Sequence, residues 1–185
     1  MKNKKKKMII NNKYLAEYSP LPVNYDFSEI RNYIPVAEAI WVKPILGDDL
    51  FDEIEEQVAN NEVSETNATL LTTGGLWQYL AFATTLEALT FIWSHISQVG
   101  ITLGKSENSD SISLKDMTLV QDHLRRQVEV LKDQLINWLD EHWESFPLFH
   151  PINCQCATCC AKRKLNNPNP YYQLYTPLRK NTDIK

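Results

Sequence analysis

The chain has 185 residues, 43% of them hydrophobic, which suits one domain of about 120 residues with its own core plus extensions. It has no run of eighteen apolar residues to span a membrane, no secretory signal beyond the short Met8–Ile10 run, and only 5 Gly, which carry no phosphate-cradling spacing. The net charge of −4 is unevenly placed: residues 1–25 hold six Lys against Glu17 for +5, residues 149–185 hold six bases against Asp183 for +5, and residues 26–148 hold 7 bases against 21 acids for −14.

Residues 1–25 read as a basic arm, because lysines followed by Pro20 and Pro22 disfavour a regular element. Asp26 or Ser28 can cap a first helix with Ile30, Tyr33 and Ile34 on its apolar side. Pro35 suits the opening turn of a helix over Val36–Val42, with Ala37, Ile40 and Trp41 available for burial. Lys43-Pro44 is expected to break it. Past Gly47, Asp48 and Asp49 place acids at the positive end of another helix. Its stripe is Leu50, Phe51, Ile54 and Val58, with Glu53, Glu55 and Glu56 on the wet side. Residues 59–73 are polar and weakly patterned, so a loop is expected, followed by a turn at Gly74-Gly75.

From Leu76 to Ile96 apolar residues point in every direction around a helix, and such a helix must be covered all round. The cover comes either from a neighbouring subunit or from the rest of the same chain. Glu87 and His95 argue against a lipid-facing span. Gly100–Leu103 and Ser111–Leu114 fit a small hairpin about the polar stretch Gly104–Asp110. Ser113 then sits where a cap is needed for a long helix over 114–144. Met117, Val120, Leu124, Val128, Leu131, Leu135 and Trp138 recur along it at spacings of three and four. Phe146-Pro147 ends it. Residues 149–185 read as a second extended arm with Pro151, Pro168, Pro170 and Pro177. The expected fold is mainly α: a small helical bundle with a short β-hairpin and extended N- and C-terminal arms. The domain boundaries are 1–25, 26–148 and 149–185.

Without a targeting segment the chain is expected to fold in a reducing cytoplasm, where the four Cys are thiols or metal ligands rather than disulfides. Cys154, Cys156, Cys159 and Cys160, with His150 upstream, offer sulfur and nitrogen ligands for Zn²⁺. The adjacent Cys159 and Cys160 do not easily reach one ion, so a reduced loop without cofactor is the competing reading. Lys162-Arg163-Lys164 would contact phosphates of nucleic acid or dock on an acidic neighbour. The −14 body favours the neighbour. Tyr171, Tyr172 and Tyr175 would anchor such an arm on another surface. No catalytic pair, nucleophile elbow or H-E-x-x-H pattern occurs, and no enzyme is expected.

The succession YIPVAEAIWVKPILGDDLFDEI, then WQYLAFATTLEALTFIWSHI, then VGITLGKSENSDSISLKDM leading to INWLDEHWESFPLF, resembles the head–tail connector (adaptor) proteins of tailed bacteriophages. The likeness is strongest to those of crAss-like phages of Bacteroides and related prophages, and it covers residues 28–149. It implies a helical bundle in a homo-oligomeric ring, usually twelve-fold, in the virion's neck. Such a ring sits between the portal and the tail proteins, and double-stranded DNA passes through it without sequence-specific binding. It implies no catalytic residues, no cofactor and no membrane. Synthesis in the host bacterial cytoplasm is expected. The other reading is a small zinc-dependent nucleic-acid-binding regulator using the Cys cluster and the basic tail.

Overall fold

A computed structural model describes residues 8–22, 25–94, 96–97, 100–101 and 114–149. Its elements, in order, are α1 (Asn12–Tyr18), a 3-10 turn (Arg31–Tyr33), α2 (Ile34–Ala37), a π-turn (Glu38–Val42), α3 (Lys43–Leu46), α4 (Asp48–Asn60), α5 (Glu65–Thr72), α6 (Leu76–Ser94), β1 (Ile96–Ser97), β2 (Gly100–Ile101), α7 (Leu114–Glu141) and a last 3-10 turn (Trp143–Ser145). The fold is mainly helical, as the sequence predicts. The chain divides after Pro151, and all of the second unit, Ile152–Lys185, lies outside the described residues.

α6 is the axis. α1, α2, α5, α7 and the turns on either side of α2 all pack on it. Leu76, Tyr79, Leu80, Ala81, Ala83 and Ala88 are all fully buried. For these residues the chain supplies the whole cover itself. Each buried Leu contributes ~1.5–3 kcal/mol relative to exposure. The buried hydroxyls of Thr84 and Thr85 donate to the carbonyls of Leu80 (2.7 Å) and Ala81 (2.9 Å), so neither is left unsatisfied.

The expected N-terminal arm is corrected at residues 8–22. Five of its six lysines fall within 1–7; the next stretch is apolar, and the core takes it. Ile9, Ile10 and Leu15 are buried. Asn11 caps α1 by accepting from the Tyr14 amide at 3.1 Å. Tyr14 stacks on Trp77 at 3.8 Å, and the Trp77 indole donates to the Ile9 carbonyl at 3.1 Å. Glu38 completes the clamp by accepting the Ile9 amide at 2.7 Å.

Pro44 does not break its helix either. Proline has no amide hydrogen and crowds the carbonyl four residues back. The backbone answers with the π-turn, in which the Lys43 amide donates to the Glu38 carbonyl, and α3 continues beyond. The chain stops at Gly47, whose φ of 80° is ordinary only for glycine. Lys43 then pairs with Asp48 (3.0 Å) and Asp52 (3.5 Å) on α4. The Asp48 contact comes first in raising the Lys43 pKa.

The expected loop over 59–73 contains α5. Ser64 caps it by accepting from the Asn67 amide at 3.2 Å, and Leu70 and Leu71 are buried. The buried Asn67 side chain donates to Glu53 and Gln57, each at 2.9 Å, and so ties α5 to α4. β2 pairs antiparallel with β1, Ile96 opposite Ile101, and Leu114 opens α7; residues 102–113, which hold most of the expected hairpin, lie outside the described residues. Two residues separate the strands, the shortest common antiparallel link.

α7 is 28 residues, about 42 Å long. Its buried line is Met117, Leu124, Val128, Leu135 and Leu139. Val120, expected in that line, is 51% exposed, because it falls to one side of a narrow seam. The helix ends at Glu141, before the expected Phe146-Pro147. After the last 3-10 turn, Phe146 and Phe149 return to the core, so the C-terminal arm does not begin at 149.

Candidate interaction surface

None of the side chains that the sequence marks for chemistry can be placed. His150, Cys154, Cys156, Cys159 and Cys160 lie outside the described residues, and so do Lys162, Arg163, Lys164, Tyr171, Tyr172 and Tyr175. Among the described residues no group of three or more His, Cys, Asp or Glu side chains is arranged to hold a metal ion. No described helix is long and apolar enough to cross a membrane.

The described surface does carry an apolar face. It is built where the 3-10 turn, α2 and the π-turn run beside the last turns of α6. Ile30, Ile34 and Ala37 turn inward and are fully buried. Val36 and Ile40, four apart and therefore neighbours on one side, turn outward at 41% and 45% exposure. Tyr33 carries the stripe across to α6 by stacking on Phe91, ring centroids 5.3 Å apart and planes at 28°. Phe91 itself is 47% exposed.

Two polar contacts fix this face. The Trp41 indole donates to Glu87 at 2.8 Å, and the Tyr79 hydroxyl donates to the Trp41 carbonyl at 3.1 Å. Both bind the π-turn to α6 across a large sequence separation. The outward Val36 and Ile40 are therefore held on a rigid support rather than on a loose loop. Ile40 was expected to be buried with Ala37 and Trp41. Ile40 instead follows Val36 by four residues and shares its outward side, away from Ile34 and Ala37.

α4 gives the described surface an acidic side, while α7 and the last 3-10 turn also leave Leu119, Val130 and Trp143 exposed. α4 presents Asp52 and Glu56 to solvent, with Glu62 just past its end. Asn61, left-handed at φ 56°, closes the helix there.

Residues 42–159 match the model of a family of unknown function, DUF6712. The match starts inside the π-turn and runs past the described residues through Cys154, Cys156 and Cys159. No curated protein and no solved structure matches the chain significantly.

Proposed function

The chain belongs to the DUF6712 family, whose function is unknown, and from its own surface and order of helices we propose that it is a structural virion protein. It forms a ring that joins the phage portal to the tail and continues the DNA channel. The observation that carries the reading is the rigid apolar face of Tyr33, Val36, Ile40 and Phe91 on a body that has already closed its own core. A contiguous apolar face held on regular structure suits a protein–protein contact. The order of helical segments, which resembles phage connector proteins, gives that contact its setting.

The charge division fits the same reading. Bodies at −14 repel one another unless positive material lies between them. The basic segments of neighbouring copies supply it. An acidic lining keeps passing DNA from being gripped, which a channel requires. The chain works by shape and charge, without a catalytic step. The test is the mass of the purified full chain by light scattering, alone and mixed with the portal protein. Assembly beyond a single chain in either sample supports the proposal, and the mass of one chain in both samples overturns it.

A further inference from the structure

A second feature lies elsewhere on the body, at the end of α7. A cleft of about 220 Å³ opens between α5 and the chain that follows α7. Its walls are aromatic. Trp138 stacks on His142 with centroids 4.2 Å apart and planes at 15°, and Phe146 meets Trp138 edge-on at 5.7 Å. Its carboxylate and its hydroxyls can all accept hydrogen bonds. Glu65 brings a carboxylate that makes no ion pair among the described residues. Thr66 and Ser145 add hydroxyls. His142 Nδ1 lies 2.8 Å from the Trp138 carbonyl. A carbonyl only accepts, so the Nδ1 N–H donates to it and holds the ring against α7. No Lys or Arg lines the cleft.

We infer that this cleft receives the guanidinium of an arginine presented by a basic segment of a partner protein. Guanidinium has five N–H donors and no acceptor, and its plane stacks on aromatic rings. It complements both the acceptor set and the walls. The ammonium of lysine matches the charge but not the planar stacking. The cleft is preformed on regular structure: Ser64 caps α5 beneath Glu65, and the Thr69 hydroxyl donates to the Glu65 carbonyl at 3.0 Å. Binding here requires no ring, so the inference stands or falls apart from the proposed assembly.

The test uses the full chain and three blocked tripeptides, Gly-Arg-Gly, Gly-Lys-Gly and Gly-citrulline-Gly, titrated by NMR on the Trp138 indole signal. The arginine peptide should shift that signal and bind several-fold tighter than the lysine peptide, with citrulline weakest. Glu65→Gln should weaken arginine binding about tenfold, the value of one charge-assisted hydrogen bond. Glu56→Gln, on the exposed side of α4, should leave it unchanged. Equal binding of the arginine and citrulline peptides, an equal loss in both variants, or no shift at Trp138 with millimolar peptide would each overturn the inference.

Discussion

Tyr33 and Phe91 stack with their centroids 5.3 Å apart, and Phe91 still leaves 47% of its surface to water. The pair joins the 3-10 turn to α6, yet it does not finish the core. It continues instead into the exposed Val36 and Ile40. An aromatic pair held rigidly and left half wet is the expected anatomy of a contact patch.

Charging this patch should separate assembly from folding. Val36→Asp with Ile40→Asp touches two side chains already 41% and 45% exposed. Surface changes of this kind usually move stability by less than about 0.5 kcal/mol each. The double variant should keep the thermal midpoint of the wild type and lose its oligomer on a sizing column. An oligomer of unchanged size would place the subunit contact elsewhere.

The segment over residues 8–22 should prove integral to the fold. Glu38 is buried and accepts the Ile9 amide at 2.7 Å. Glu38→Ala removes that acceptor and leaves the amide buried without it, at a cost of about 1–3 kcal/mol. Urea unfolding followed by tryptophan fluorescence should show the midpoint fall with little change in slope. A midpoint equal to that of the wild type would mean the clamp is dispensable.

Much of the helical order was legible in the sequence, and each exception has its own cause. The stripe of Leu50, Phe51 and Ile54 and the burial of α6 from Leu76 to Ala88 follow directly from apolar spacing. α5 was missed because Thr66, Thr69 and Thr72 look like loop composition; two of those hydroxyls instead donate back to carbonyls of the same helix, Glu65 and Ala68. Residues 8–22 were hidden by the lysines before them. Ile40 was misplaced because its spacing of four from Val36, rather than its nearness to Ala37 and Trp41, sets its side of the helix. The cleft at Trp138 was not legible at all, since Glu65 and His142 are far apart in sequence and carry no motif. The Cys cluster and basic tail, the features with the strongest sequence signal, fall outside the described residues.

Gly74 should resist substitution. A Cβ there would lie 2.7 Å from the Leu70 carbonyl oxygen and 2.9 Å from Trp138 Cε3. One of those is backbone and cannot swing away. Gly74→Ala should therefore destabilise by about 1–3 kcal/mol, as overpacking does. Chemical denaturation would show this directly, and a stabilised variant would contradict the packing described between α5 and α7.

Tyr25 should ionise late. Its hydroxyl donates to Glu29 at 2.8 Å, and burial first, then Glu29, push its pKa from the ordinary 10.0 up to about 12. The unfolded phenol gives up its proton near 10.0 while the folded one holds it, so this contribution to stability is complete below that pH. It falls away as pH rises toward about 12. In a tyrosinate absorbance titration, the wild-type minus Tyr25→Phe difference should appear only above about pH 11. A difference already titrating at the ordinary tyrosine pKa would contradict the contact with Glu29.

The most direct measurement is low-resolution electron imaging of the purified full chain, alone and with the portal protein. The expected image is a closed ring whose subunits meet on the face of Tyr33, Val36, Ile40 and Phe91, and which disperses when Val36 and Ile40 are both replaced by Asp. Fields of separate single subunits in both samples would contradict a connector role.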